Sequence, residues 1–522
     1  MGLPSAITAT LLSAALLALA LPPWSLRPLA FVGLVPLLLA LQSGGATRAV
    51  ALAVGFGVAF GWTTAPTFPA SIATYYEQPL WFGVILGSAL FAAMASVYYG
   101  AFAAILRGLA ASAGWTAPLL TAAAWVSIEL GRARLFTGTD FFIGNPWALL
   151  GYTHASGPLA QVASLTGVYG ISFVVVAVNA GLARLLLDRI ERRERDTGWA
   201  WRAAISCAPA IVVYLAGAYT LATAPEDEAA SLVEVGVVQG NLSTGRRWRA
   251  DAYGRNLERY MGLTRDLLRS GSPDLVVWPE NAVSFYVEEE RRYLEALAEL
   301  PKAGGFELLF GGPGRNGDPE APPFNSIFRI DASGRLAGRY DKSLLMPFSE
   351  TYPFETASWM RRDLATGQVF SPGPWNPSPL DTPAGRAGIL TCNEAMLPEV
   401  AIARVRSGAE LLISPSNDSW ITGLGFSDHM LAVVGLRSIE LRRYLIRAST
   451  SGPSAVIDPW GRVRVRTESA APGLLRGVVA PRSEITLYAR WGDAFGVACV
   501  LSVAGTLLWR ARPDRGAHRG SA

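Results

Sequence analysis

Two hydrophobic patterns divide this chain. From the N-terminus to about residue 223, apolar residues run on for 15 to 30 positions at a time. A helix needs about 20 mostly apolar residues to cross a bilayer. Eight segments approach that length: 5–22, 28–42, 49–66, 80–106, 117–131, 158–187, 200–223 and, far downstream, 493–510. The second is short and carries Pro36, which predicts a tilted or kinked helix. The first lacks a basic leading region and a cleavage signal, so it reads as a retained helix rather than a signal peptide.

Between residues 224 and 492 the pattern changes to short apolar runs alternating with amphipathic stretches. Strands are predicted at 232–238, 275–278, 307–311, 326–330, 386–391, 410–414, 444–448 and 454–458. Helices are predicted at 251–269, 287–300, 395–407 and 427–442. Strands alternating with helices predict a layered α/β fold, with polar active groups at strand ends. The organisation is then a seven-helix membrane domain (1–223), an α/β domain (224–492) and an eighth helix with a tail (493–522).

Charge adds orientation. Only 16% of residues are charged, against about 25% in ordinary soluble domains. Arg48, Arg107, the group Arg189, Arg192, Arg193, Arg195 and Arg202, and the tail residues Arg510, Arg512, Arg515 and Arg519 all fall on one side if the N-terminus is cytoplasmic. The opposite short loops receive only Arg27, Arg132 and Arg134. Basic loops stay inside, so the α/β domain is expected outside the cytoplasmic membrane, in the periplasm of a double-membrane bacterium. The net charge of +4 is explained by these loops and gives no reason to expect nucleic-acid binding.

Candidate chemistry is sparse. Of three cysteines, Cys207 and Cys499 lie in apolar runs and Cys392 alone lies in the α/β stretch, in Gly388-Ile-Leu-Thr-Cys-Asn-Glu394. Three cysteines so placed build no disulfide framework. The three histidines and the cysteines form no metal-ligand spacing, so neither metal nor cofactor is expected. A thiol needs a base to act as a nucleophile at neutral pH. His429, the only histidine in the α/β stretch, falls in a predicted helix. Glu280, after Leu275-Val-Val-Trp-Pro279, has an apolar setting that raises a carboxyl toward the useful range. Lys342, in Tyr340-Asp-Lys-Ser-Leu-Leu-Met-Pro-Phe348, is one of only two lysines among 45 basic residues; the other, Lys302, sits in a turn-like Pro-Lys-Ala-Gly-Gly. An ammonium there, with the backbone N–H of Asn393, could stabilise an oxyanion. Singly, each has an ordinary reading: a solvated carboxylate, a surface charge, a small buried thiol. Together, each near a strand end, they point to acyl transfer through a thioester.

These contexts resemble the nitrilase, or carbon–nitrogen hydrolase, superfamily, whose sites use Glu, Lys and Cys. The apolar segments and the inserted domain narrow the resemblance to the apolipoprotein N-acyltransferase family. Val238-Gln-Gly-Asn241, Val277-Trp-Pro-Glu-Asn281, Ser416-Asn-Asp-Ser-Trp420 and Thr486-Leu-Tyr-Ala-Arg-Trp-Gly-Asp493 carry it further. The resemblance implies an eight-span helical bundle with a nitrilase-like α-β-β-α domain. It implies Glu280 as base, Lys342 on the oxyanion side and Cys392 as nucleophile. Glu350, Glu394 and Trp248 match further family residues near the pocket. The implied partners are the bilayer, a phospholipid acyl donor and a diacylglyceryl apolipoprotein acceptor, with the enzyme a monomer. Apolar side chains expected to meet the headgroup zone are Met346, Phe348, Tyr352, Phe354 and Trp359, with Leu424 and Phe426. Asn393, where the family often has an aromatic residue, and the segment after Trp420, which lacks an expected Gly-Pro, are departures. A membrane-tethered amidase would use the same triad on a small amide, but eight spans exceed a tether. A lipid transporter would place ionisable groups along a membrane pathway, where only Glu129 and a few arginines near span ends occur.

Overall fold

The computed structural model describes residues 1–109, 116–135, 144–190, 199–242, 253–318, 320–352, 369–421 and 425–512. Its N-terminal part is helical. Among the described residues, five helices are long and apolar enough to cross a membrane: Leu3–Ala20, Ala46–Thr64, Leu80–Leu109, Val168–Ile190 and Ala204–Ala222. Two other expected segments, 117–131 and 493–510, are also helical, while 28–42 and the start of 158–187 are broken. Residues 28–42 form a 3-10 turn, Arg27–Phe31, and an eight-residue helix, Val35–Gln42, because Pro36 suits only a helix start. The expected 158–187 span begins in earnest only at Val168, since Gly167, at φ +64°, ends the short turns before it. Thr116–Arg134 is helical but carries Glu129, Arg132 and Arg134. Glu129 accepts hydrogen bonds from Trp125 Nε1 (2.9 Å) and the Leu150 amide (2.7 Å), so it packs the bundle rather than standing free in it. The final apolar helix is Ala494–Arg510. A short helix not foreseen, Phe68–Tyr75, lies between two long ones.

Among the described residues, twelve strands form two six-stranded sheets. In chain order they are β1 (Val233–Gln239), β2 (Leu275–Val277), β3 (Glu307–Gly314), β4 (Phe324–Ile330), β5 (Leu336–Asp341), β6 (Leu380–Thr382), β7 (Gly385–Ile389), β8 (Leu411–Ser416), β9 (Leu445–Ser449), β10 (Ala455–Ile457), β11 (Val463–Arg466) and β12 (Gly473–Val479). The first sheet runs β12-β1-β2-β3-β4-β5, the second β11-β10-β9-β8-β7-β6. The central pairs β1/β2, β2/β3, β7/β8 and β8/β9 are parallel.

Side-chain alternation builds the layers. Val235, Val237, Leu275, Val277 and Leu309 of the first sheet meet Ala387, Ile389, Leu411, Ile413 and Ile446 of the second in one buried cluster. The residues between them face outward. Val276, Leu308 and Phe310 pack on Leu257, Tyr260 and Leu297 of the helices Tyr253–Leu268 and Arg291–Gly304. Leu412 and Leu445 pack on Val400, Val405 and Val434 of the helices Pro398–Arg406 and Phe426–Leu441. The result is a four-layer α-β-β-α sandwich. Its last helix layer docks on the N-terminal bundle: Val433, Leu436 and Ile439 belong to the bundle's own core. Trp147 stacks on Phe426 at 4.6 Å, which places that ring in the junction, and lies 4.1 Å from the His429 ring.

Candidate active site

Each group of the site sits where a strand ends. Trp278 and Pro279 follow β2, and Pro279 cannot donate to a ladder, so the chain turns there and presents Glu280. Gly311 of β3 makes room for this turn. A Cβ at Gly311 would lie 2.6 Å from the Asn281 amide and 2.6 Å from Glu280 Cα. The Gly311 amide donates to Pro279 O (3.1 Å) and the Val283 amide to Gly311 O (3.0 Å), fastening the turn to the sheet. Lys342 follows β5, with its amide bonded to Asn325 O at 2.9 Å. Cys392 opens a 3-10 turn, Cys392–Met396, after β7. It holds φ +52°, left-handed for a non-glycine residue, a strained conformation of the kind that surrounding structure enforces at reactive sites.

Glu280, Lys342 and Glu350 meet. Lys342 Nζ lies 2.8 and 3.0 Å from the two Glu350 oxygens and 3.5 Å from Glu280 Oε1. Lys342 is 1% exposed. Asn325 Nδ2 donates to both carboxylates, at 2.8 Å each, and the Asn417 amide donates to Glu280 Oε2 at 2.8 Å. The Met346 amide donates to Glu350 Oε2 at 2.8 Å. Two carboxylates thus share one ammonium and one amide.

The electrostatics follow. Burial pushes the Glu280 carboxyl above its ordinary range; Lys342 pulls it down, Glu350 pushes it up further, and the net shift is upward. Burial alone would lower Lys342, but Glu350, Glu280 and Cys392 outweigh it and hold the amine well above its usual value. Burial pushes the Cys392 thiol up, Glu280 adds to the rise, and Lys342 opposes it. The resting thiol is therefore protonated, beside a carboxylate whose basicity has been raised.

The supporting residues separate into different places. Glu394 does not face the carboxylate pair. It is fully buried and accepts bonds from Tyr340 Oη (2.7 and 2.8 Å) and from the Ser343 (2.8 Å), Leu344 (3.1 Å) and Thr391 (2.8 Å) amides. One carboxylate therefore ties the Lys342 loop to the Cys392 turn. Arg404, 3.7 Å from Glu394, donates to Tyr340 Oη and Ser343 Oγ, at 2.9 Å each. Asn393 Nδ2 reaches Leu344 O at 3.2 Å, binding the same two segments. Met346, Phe348 and Tyr352 are partly buried. Trp248, Phe354, Trp359 and Leu424 lie outside the described residues.

Asn325 and Asn417 are new to the site. The signal for Asn325 was a polar Asn-Ser pair opening an apolar strand; for Asn417 it was the Ser-Asn-Asp-Ser turn after β8. Asp418 holds that turn by accepting from Ser416 Oγ (2.6 Å), Arg447 Nη2 (2.8 Å) and Ser449 Oγ (2.9 Å). His429 is buried against Trp147, and burial lowers its pKa to about 4.

A two-sheet sandwich with a buried carboxylate–ammonium pair beside a strand-end cysteine defines a carbon–nitrogen hydrolase domain, and residues 234–480 match the Carbon-nitrogen hydrolase family. Residues 13–181 match the Apolipoprotein N-acyltransferase N-terminal domain. The chain is 32% identical to the Apolipoprotein N-acyltransferase of Geobacter metallireducens over 94% of this chain and 93% of that one. It is 31% identical to that of Azotobacter vinelandii over 97% and 95%. A solved amidase from Nesterenkonia sp. is 20% identical over 50% of this chain and 95% of that chain, with a TM-score of 0.38. The chain belongs to the apolipoprotein N-acyltransferase family.

Proposed function

We propose that the chain transfers a fatty acyl group from a membrane phospholipid to the α-amine of diacylglyceryl-cysteine at the N-terminus of apolipoproteins. Cys392 is the acylated residue. Glu280 takes the thiol proton as sulfur attacks the phospholipid ester carbonyl. Lys342 and the Asn393 amide stabilise the oxyanion. The intermediate collapses with loss of a lysophospholipid, whose departing alkoxide takes the proton from Glu280, and a thioester remains. The acceptor amine then attacks the thioester. Glu280 receives the amine's proton and returns it to the departing thiol, leaving an amide. Raising Glu280 lessens the mismatch with the thiol it must deprotonate.

The observation that carries this reading is the buried Glu280–Lys342–Glu350 set within electrostatic reach of Cys392, in a domain docked on apolar helices. Both substrates are lipid-anchored, which gives a reason for that docking. In the same reading the chain crosses the cytoplasmic membrane eight times, with the α/β domain on the periplasmic side, and the arginine-rich loops support it. The test is to incubate the purified protein with phospholipid carrying a labelled acyl chain and analyse the Cys392 peptide by mass spectrometry. The expected result is acyl label on Cys392, discharged by a diacylglyceryl lipopeptide and absent in Cys392→Ala and Cys392→Ser. Transfer at normal rate by those variants, or hydrolysis of small amides in place of transfer, would overturn the reading.

A further inference from the structure

The short helix Phe68–Tyr75 belongs to the N-terminal helical part, yet its end reaches the site. Tyr75 Oη lies 2.5 Å from Ser349 Oγ and 3.3 Å from Ser349 O. Tyr76 Oη donates to Phe348 O at 2.9 Å. These carbonyls belong to a tight loop that closes on itself: the Phe348 amide donates to Thr351 O at 2.7 Å and the Glu350 amide to Met346 O at 2.8 Å. Phe348 holds φ +60° within it. The loop's product is Glu350, placed against Lys342.

Tyr75 also meets Trp420, ring to ring at 6.2 Å and edge-on. Trp420 ends the turn whose Asn417 amide holds Glu280. One helix end therefore touches both loops that set the two carboxylates. Its own base is closely packed. A Cβ at Gly83 would lie 1.9 Å from Pro69 O, and one at Gly87 would lie 3.1 Å from Pro69 Cγ, so the short helix is seated directly on the helix Leu80–Met94.

We infer that Tyr75 and Tyr76 are positioning residues for acyl transfer: their hydroxyls clamp the 346–351 loop so that Glu350 holds Lys342 beside Glu280 and Cys392. The inference rests on the reading of Glu280, Lys342 and Cys392 as the reacting set. Without the clamp Glu350 drifts from Lys342, and the ammonium is free to draw closer to Glu280. Both changes lower the Glu280 carboxyl, the first by removing a neighbouring anion and the second by strengthening a neighbouring cation.

The test uses the full-length protein and single-turnover acylation of Cys392. Tyr75→Phe/Tyr76→Phe should slow thioester formation about tenfold, the scale of two lost hydrogen bonds. The acid limb of its pH profile should move to lower pH. The same pair of changes in a Glu350→Gln background should add almost nothing, because residues acting through one another are not additive. An unchanged rate in the double variant, or an equal fall and no pH displacement in both backgrounds, overturns the inference. Thermal unfolding of each variant separates a lost clamp from a lost fold. Acylation of Cys392 in the unmodified protein, measured alongside, reports separately on the function itself.

Discussion

Removing the ammonium tests the site's electrostatics most directly. In Lys342→Met the side chain keeps most of its length and loses its charge. Lys342 Nζ stands 3.5 Å from Glu280 and 2.8 Å from Glu350, with 1% of the residue exposed. At an effective dielectric of 20 a pair at 3.5 Å attracts by about 5 kcal/mol. Breaking a buried pair by deleting one partner costs about 3–5 kcal/mol, since a buried charge is left behind. Here two carboxylates remain, bridged by Asn325. One will take a proton, so the deficit has a sign with pH. A carboxyl raised in the folded state keeps its stabilising contribution at low pH and loses it as pH rises through the raised value. The gap in apparent Tm between the native protein and Lys342→Met should therefore widen from pH 5 to pH 8. Catalytically, loss of an oxyanion donor should slow thioester formation by about 10²–10³. The acid limb of the rate profile should move to higher pH, because Lys342 is what lowers Glu280. Single-turnover labelling of Cys392 across pH reads both. Lys342→Arg should fall by at least about 10² as well, because a forked guanidinium does not fit where a compact ammonium is enclosed. Lys302→Arg, at an exposed side chain, should be silent. Near-normal acylation in Lys342→Met or Lys342→Arg, or an unmoved acid limb, would remove Lys342 from the reacting set.

Glu280→Gln should abolish thioester formation while leaving the fold intact, whereas Glu350→Gln should retain some thioester with impaired turnover; equal labelling in native protein and Glu280→Gln would show that another group activates the thiol. Gly311→Ala places a methyl against the backbone of the Glu280 turn, and overpacking of this kind costs about 1–3 kcal/mol. Its apparent Tm and its acylation rate should both fall, and a variant as stable and active as the native protein would show that the turn yields freely.

The two patterns of apolar residues made the central strands and the long helices readable, because those elements bury continuous runs. β5, β6, β11 and β12 were not readable. They lie toward the margins of the sheets, and stretches such as Leu336-Ala-Gly-Arg-Tyr-Asp341 carry polar residues that suit one open face. The helix Phe68–Tyr75 was hidden because it is short and bounded by turn residues. At the site, Glu280 and Cys392 stood out as polar residues ending apolar runs, and Lys342 as one of only two lysines among 45 basic residues. Asn325 did not, since a single amide at a strand's start looks like the end of a hydrophobic pattern. Its role exists only through neighbours from three other segments. Glu394 was legible by resemblance as a residue near the pocket, but its work as a tie between two loops depends on Tyr340, Ser343 and Leu344, which lie 50 to 54 residues away in the sequence.

Two carboxylates around one ammonium leave the centre with an excess of negative charge, and that bears on redox chemistry. Oxidants and disulfides react with thiolates rather than thiols. Cys392 rests as a neutral thiol, raised by burial and by Glu280. No cysteine near it could resolve a sulfenic acid into a disulfide, for Cys207 and Cys499 sit in apolar helices of the bundle. Damage at this sulfur would have no internal route back. In the proposed mechanism, holding the proton until a carbonyl arrives would lower the sulfur's reactivity toward peroxide between turnovers, so the charge balance that readies Glu280 as a base would also protect the nucleophile it serves.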